Sequence, residues 1–377
     1  MSELPDFITS ALRHSRTRVA YGPGRIANLG SLVRAEGGSR VLLVTDPGIK
    51  RAGHAGRAAE SLAREGLTVT VFDGVEENPN TVHVDAGVKI ARTCGVDFLV
   101  GLGGGSAMDC AKGINFLLTN GGAMRDYWGI GKATRPMLPM IAVPTTAGTG
   151  SEAQSFALIT DPETHQKMAC GDEKAACRMA ILDPELTRTC PPRVAAAAGI
   201  DAVAHAVETA GANRRNSASL DCSRLAWDRL DRSFGRVMRD PGDDQARADM
   251  LLGAHLAGVA IERSMLGAAH ACANPLTARF GITHGIAVGV MLPHVIRFNC
   301  EDGANPYNAL GLSDEALAMR IELHLDAANL PRSLSEIGVD ESALPALADE
   351  ASRQWTASFN PRRVDADALL RVYQTAT

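Results

Sequence analysis

Short apolar runs rich in β-branched residues recur through the first half of the chain: RVLLVT (40–45), TVTVF (68–72), DFLVGL (97–102) and MIAVP (140–144). Each predicts a buried strand. The stretches between them, AGRAAESLAREG and VDAGVKIARTCG among them, carry apolar residues at helical spacing and end in glycine, a C-cap signal. Strands alternating with helices predict parallel βαβ units. After DPELTRTCPP (183–192) the strand-like runs stop, and Ala/Leu-rich helical periodicity continues to the last residue. Pro191 and Pro192 suit a first helical turn, where a missing N–H costs little. The turn-rich stretches DPGDD (240–244), FNCEDGANPYN (298–308) and EIGVDESALP (336–345) should separate the later helices. The pattern predicts an α/β domain with a parallel, Rossmann-like sheet over residues 1–188 and an all-helical domain over 189–377.

Composition narrows the partners. With 377 residues, 45% apolar and 21% charged, the chain has the make-up of a folded, water-soluble protein of two domains. A formal net charge of −5 and the lack of any Lys/Arg block give no footprint for nucleic acid or an anionic membrane. The opening stretch mixes acids, bases and polar residues where a secretory signal needs an apolar run. Eight cysteines without a CxxC pair read as reduced thiols of a cytoplasmic protein.

GLGGGSAMDCAK (101–112) follows the third predicted strand and runs straight into a helix. Glycines let a backbone approach a pyrophosphate, and a helix start offers unpaired N–H groups, so Gly104, Gly105, Ser106 and Asp109 are candidate cofactor residues. A tight turn requiring positive φ is the alternative. The ordinary dinucleotide fingerprint does not fit, because Ser106 stands at the third glycine position. The candidate ribose acid lies upstream instead. Asp46 closes RVLLVT and would select NAD by repelling a 2′-phosphate, although ahead of Pro47 and Gly48 it also reads as a turn cap. A second polar turn, PTTAGTGSE (144–152), follows the fourth predicted strand. Loops at neighbouring strand ends would face one crevice.

In the helical half, GIDAVAHAVET sets Asp201 and His205 four apart, on one helix face. Buried among Ala and Val, they must pair with each other or share an ion. His270 and His284 follow in HACANPLTARFGITHG, where a Pro/Gly-containing stretch lets two helices converge. Three imidazoles and a carboxylate suit Fe(II) or Zn(II) with a position left for a substrate oxygen. Of the other histidines, His14, His54, His83 and His165 lie in polar surroundings that predict surface. His255 and His324 read as core or boundary residues, and His294 fits either role.

Taken together, GGGSAMDCAK, PTTAGTGSE, DAVAHAVET and the segment leading to HGIAVGVMLPHV resemble the signature segments of the iron-containing alcohol dehydrogenase family. The likeness runs from NLGSL through NPNT (78–81) to FNPR near the C-terminus. It implies the dehydroquinate synthase-like architecture, with metal and nicotinamide brought together in an interdomain cleft. It also implies metal ligation by Asp201, His205, His270 and His284, and NAD contacts at Asp46, Asn78, Gly105, Ser106, Thr145, Thr146, Thr149, Lys167 and Leu186. By spacing alone Lys167 is a surface lysine. The resemblance further implies a homodimer, with TRVAYGPG as a contributing strand.

Two positions depart from the family pattern. Where many members carry a further histidine implicated in proton movement, this chain has Asn274, which cannot exchange a proton as imidazole does. Phe156 stands where some relatives place an Asn. The implied activity is NAD(H)-linked hydride transfer between nicotinamide and a small alcohol or aldehyde polarised by the metal. The apolar character of IERSMLGAAH and Phe156 favours an uncharged substrate. A dehydroquinate synthase-like lyase and a maleylacetate reductase-like enzyme are the competing readings. The first would want more Lys and Arg between Asp201 and His284, and the second would not need the ligands.

Overall fold

The computed structural model describes residues 4–13, 15–164 and 166–377, so the surface expected for His14 and His165 falls outside the described residues. The chain forms two compact units. One contains Arg13–Thr146 and Ser151–Cys190; the other takes Pro191–Thr377 together with Ser10–Leu12 and Ala147–Gly150. The changeover therefore falls at Cys190–Pro191, and the helical unit borrows two short segments from earlier in the chain.

The strands are β1 (Arg18–Tyr21), β2 (Arg40–Val44), β3 (Thr68–Phe72), β4 (Phe98–Gly103), β5 (Gly129–Ile130), β6 (Met140–Pro144), β7 (Phe156–Thr160), β8 (Lys167–Gly171) and β9 (Met179–Leu182). Six of them make a wholly parallel sheet in the order β1-β9-β6-β4-β2-β3. Alternation along the central strands feeds two cores. Val41, Leu43, Phe98, Val100 and Leu102 point to one face, while Leu42, Val44 and Leu99 point to the other. Helix α1 (Asp6–Leu12) precedes the sheet and is divided between the two units, while α2 (Leu29–Ala35), α3 (Pro47–Arg51), α4 (His54–Arg64), α5 (Thr81–Thr93) and α6 (Gly105–Asn120) accompany these strands.

The sequence pattern gives β2, β3, β4 and β6, and the structure adds a second sheet of order β5-β8-β7. Its antiparallel β7/β8 pair closes on Gly171, where a Cβ would lie 2.3 Å from the Phe156 ring. Phe156 thus packs within this small sheet.

The helical unit holds α7 (Pro192–Gly211), α8 (Ser217–Arg239), α9 (Asp244–Arg263), α10 (Ala268–Phe280), α11 (His284–Asn299), α12 (Asp314–Ala327), α13 (Leu344–Ser352) and α14 (Ala366–Thr375). Helix α7 is buried from Gly199 to Gly211, its Ala/Val residues packed all round and the polar Asp201, His205, Glu208 and Thr209 enclosed with them. Among the described residues no helix is long and apolar enough to cross a membrane.

His54 corrects one expectation. It is buried, not at the surface, because it opens α4 on the face shared with Ala58, Ser61 and Leu62. Its Nε2 lies 2.7 Å from Thr189 Oγ1, and burial, aided by Arg57, holds its pKa below the ordinary histidine value. His83, by contrast, is partly exposed and caps α5, its Nδ1 accepting the Asn80 N–H at 3.1 Å. His324 is buried and bonded to Asp231, its Nε2 2.9 Å from Oδ1.

Candidate active site

In the α/β unit the two predicted loops leave adjacent strands, with Gly103 at the end of β4 opposite Pro144 at the end of β6. Gly103 needs its freedom: at φ +151° an added Cβ would sit 2.8 Å from the Ala107 Cβ. The glycine turn delivers the chain to α6, whose N-cap, Gly104, makes no side-chain cap bond. The first N–H groups of a 16-residue helix are therefore left for an anion. Gly105 and the partly exposed Ser106 open that helix. Thr146 lies beside Gly104, with its Oγ1 3.5 Å from where a Cβ would stand. Thr145 donates its N–H to the Gly103 carbonyl at 3.0 Å, while its buried hydroxyl has no partner among the described residues. An anion at this helix start fits the donors present.

Asp46 caps α3, Oδ1 accepting the Ile49 N–H at 3.0 Å. Its other oxygen faces Gly103, within 3.3 Å of the Cβ that glycine lacks. The turn-cap reading and a place at the loop are thus compatible. Asn78, held at φ 53°, accepts from the exposed Lys167 Nζ at 3.1 Å, so these two residues meet. Leu186 has its side chain enclosed in the core. Asp109 turns inward, accepting from Ser151 Oγ at 2.6 Å, and burial pushes its pKa up against the pull of Lys112. Lys112 itself is wholly enclosed. Its three ammonium hydrogens meet the Ser151 carbonyl at 2.6 Å, the Ser151 hydroxyl at 2.9 Å and the Phe156 carbonyl at 2.9 Å. That clamp between α6 and the two strand-end segments was not singled out in the sequence, where Lys112 reads as an ordinary helix lysine.

In the helical unit Asp201 and His205 project from consecutive turns of α7, with His205 Nε2 3.4 Å from Asp201 Oδ1. His270, on the first turn of α10, brings its Nε2 to 3.3 Å from the same oxygen. Its ring stacks on His205 at 4.9 Å between centroids and lies 5.3 Å from that of His284 at the start of α11. Ligand atoms of Asp201, His270 and His284 all fall within 4.8 Å of one another. Gly285 permits this, since a Cβ there would meet the Ala197 carbonyl of α7 at 2.0 Å. Gly148, from the borrowed loop segment, packs against Ala198 of α7, where a Cβ would stand 2.7 Å from the alanine's own.

The electrostatics of this cluster suit a cation. Burial raises the Asp201 pKa, but His205, His270 and His284 outweigh it and hold the carboxyl below its usual range. For His205 burial wins over Asp201 and keeps the ring neutral. Burial also works against protonation of His270, yet Glu208 and Asp201 bring its pKa up to about 9. Asp201 Oδ1 and His270 Nε2 are buried with no hydrogen-bond partner among the described residues, while His205 lies beside Asp201 but outside the group of three whose ligand atoms converge. Buried polar atoms that converge without a well-formed partner are costly unless something else fills the point they share. A borderline metal ion with N and O ligands does so, and would displace the proton that His270 otherwise holds.

Two further features complete the picture. Asn274, one turn beyond His270, is partly buried and donates to Gln354 Oε1 at 3.1 Å. Glu208, absent from the sequence reading, lies 2.5 Å from His270 Nδ1 through its Oε2. The spacing carried the signal, since Asp201, His205 and Glu208 fall at i, i+4 and i+7 of one helix.

Family models match almost the whole chain: iron-containing alcohol dehydrogenase over residues 16–184, and the C-terminal region of the same family over 195–377. The chain belongs to the iron-containing alcohol dehydrogenase family. It is 34% identical over 368 residues to alcohol dehydrogenase 4 of Schizosaccharomyces pombe, covering 94% of this chain and 86% of that protein. Among solved structures, a 1,3-propanediol oxidoreductase aligns at TM-score 0.90 with 32% identity, over 96% of this chain and 98% of the other. Sulfoacetaldehyde reductase from Bifidobacterium kashiwanohense, solved with NAD+, aligns at 0.88 with 27% identity over 96% and 97%. This iron-containing alcohol dehydrogenase is accordingly an NAD-linked, metal-dependent oxidoreductase that interconverts alcohols and aldehydes, with iron and NAD as its cofactors.

Proposed function

We propose that Asp201, His205, His270 and His284 hold the iron, and that the NAD pyrophosphate lies at the α6 N-terminus. Support for the first comes from the convergence of His205 and His270 Nε2 on Asp201 Oδ1, at 3.4 and 3.3 Å. Iron, when bound, supplies Lewis acidity that polarises a carbonyl and makes an alcohol easier to deprotonate.

Around the cofactor, Gly104, Gly105 and Ser106 offer N–H groups, and Thr145, Thr146 and Thr149 offer hydroxyls. Asp46 receives ribose hydroxyls on the oxygen not used for the α3 cap. Lys167 and Asn78 act as a bonded pair toward ribose or phosphate. Asp109 serves indirectly by fixing Ser151, and Leu186 contributes shape through the core that backs the loop.

Asn274 orients the substrate oxygen by hydrogen bonding. It exchanges no proton, since an amide has no group that titrates near neutrality. The substrate is a small, uncharged alcohol or aldehyde. The protein works as a homodimer in the cytoplasm; β1 lies at the sheet edge, ready for further pairing, and all eight cysteines are free thiols.

The test is metal content of the purified protein together with NADH oxidation by short aldehydes, before and after chelation and refilling with Fe(II) or Zn(II). Activity lost with the metal and restored by one ion supports the reading. Turnover that survives complete metal removal overturns it.

A further inference from the structure

Glu208 stands two turns along α7 from Asp201, on the same face, and is 3% exposed. A carboxylate so enclosed requires donors at both oxygens. Oε1 accepts the Ala269 N–H at 2.7 Å, capping the first turn of α10. The neighbouring Ala268 N–H is taken by Asn360 Oδ1 at 3.2 Å. Gly267 makes room for both, since a Cβ there would press on Asn360 Oδ1 at 3.0 Å and Glu208 Oε1 at 3.1 Å.

Capping needs one oxygen only. The second, Oε2, is committed to His270 Nδ1 at 2.5 Å, on the side of the ring away from Asp201. A carboxylate oxygen accepts, so the contact is complete when Nδ1 carries the hydrogen. In the neutral ring the lone pair is then on Nε2, the atom 3.3 Å from Asp201 Oδ1.

We propose that Glu208 is a positioning residue of the metal centre: it selects the Nδ1–H tautomer of His270 and aims the Nε2 lone pair at the point shared with Asp201 and His284. The inference rests on the metal reading given above. Imidazole ligands commonly lean on such a partner, and its removal costs about 10–100-fold in metal affinity.

The carboxamide is the discriminating substitution. Glutamine has one acceptor and one donor end. If its oxygen keeps the Ala269 N–H, its NH2 faces Nδ1, which must then accept and send the ring hydrogen to Nε2. The helix cap survives while the lone pair needed for the metal is lost. In the whole protein, Glu208→Gln is therefore expected to bind Co(II) or Zn(II) about 10–100-fold more weakly in chelator competition. Its Co(II) absorption should change, with NAD+ affinity and thermal midpoint close to those of the parent.

Affinity within twofold of the parent in a folded Glu208→Gln variant overturns the proposal. So does an equal loss of affinity in Asn360→Ala, which leaves Glu208 in place while removing the neighbouring cap and the bonds to Asn299 and the Arg362 carbonyl, since the loss would then follow from any disturbance of this corner. The unmutated, Zn(II)-loaded protein offers a test that no folding defect can obscure. In its 15N-histidine spectrum His270 should be protonated at Nδ1 and coordinated through Nε2, and the reverse tautomer refutes the idea. His284→Ala separates the two levels. Metal retained in that variant sinks the metal reading itself, whereas metal lost there but kept in Glu208→Gln sinks only the role of Glu208.

Discussion

Asp46 reaches Gly103 across two adjacent strands: one carboxylate oxygen caps α3 and the other lies beside the glycine turn that opens α6. The two roles separate by substitution. Asp46→Asn keeps an acceptor for the Ile49 N–H but removes the charge that disfavours a 2′-phosphate, so the ratio of kcat/KM for NAD to that for NADP should fall at least tenfold with little change in stability. Asp46→Ala should add a loss of about 1 kcal/mol from the missing cap. An unchanged cofactor ratio in both variants would leave Asp46 as a turn residue only.

His284→Ala removes one of the converging nitrogens without exposing the Glu208 contact. We expect turnover to vanish and metal content to drop, while NAD+ titration by fluorescence stays within about threefold of the parent. Full activity would remove His284 from the site.

Gly285 sits where α11 meets α7, with no room for a methyl group against the Ala197 carbonyl. Gly285→Ala is expected to cost roughly 1–3 kcal/mol through forced displacement of the helices. Because His284 is the preceding residue, metal affinity should fall with it. A thermal midpoint equal to the parent's would show that α11 slides freely at this contact.

Lys112→Met preserves volume but strips the donor from Ser151 and Phe156 and leaves the Asp109 carboxylate enclosed beside an apolar chain. Breaking a buried ion pair on one side typically costs about 3–5 kcal/mol. A fall in thermal midpoint on the order of 10 °C follows. A drop of only a degree or two would mean that the clamp is replaceable.

Acid should weaken the helical unit partly through His294. Burial, with Arg297 on the next turn, holds its pKa down at about 4 against the opposing pull of Glu322. Above pH 6.5 the residue is neutral folded or unfolded. As pH falls from 6.5 towards about 4 the unfolded chain takes up the proton first, so stability is lost across that window and no further below it. Thermal midpoints of His294→Gln should therefore decline less steeply between pH 6.5 and 4 than the parent's.

Much of this was legible in the residues, and the exceptions share a cause. MIAVP coincides with β6 because a strand buried on both faces must be apolar throughout, whereas TVTVF coincides with β3, the half-exposed edge strand, through its β-branched alternation. FALIT and KMACG were harder to read: each is short and buried only in part, and Phe156 fills the space over Gly171 across the pair. Asp201 and His205 stood out as polar residues on an Ala/Val helix. Glu208, three residues on, was passed over although it shares their helix face, because only the tertiary fold shows that the start of α10 covers it. His54 misled in the opposite direction: its sequence neighbourhood includes Arg51 and Arg57, while the residues it is buried with, Ala58, Ser61 and Leu62, recur at helical spacing.

The loan of Ala147–Gly150 to the helical unit bears on how members of such a family can be recombined. Gly148 abuts Ala198, and Gly150 approaches Gly258 so closely that a Cβ would lie 2.7 Å from its Cα. A chimaera spliced at Cys190–Pro191 would inherit its helices from one parent and this small wedge from the other. Productive exchange then requires the tetrapeptide to travel with the helices although about forty residues separate them in the chain. Natural recombination at that seam should succeed chiefly between parents whose wedges are interchangeable.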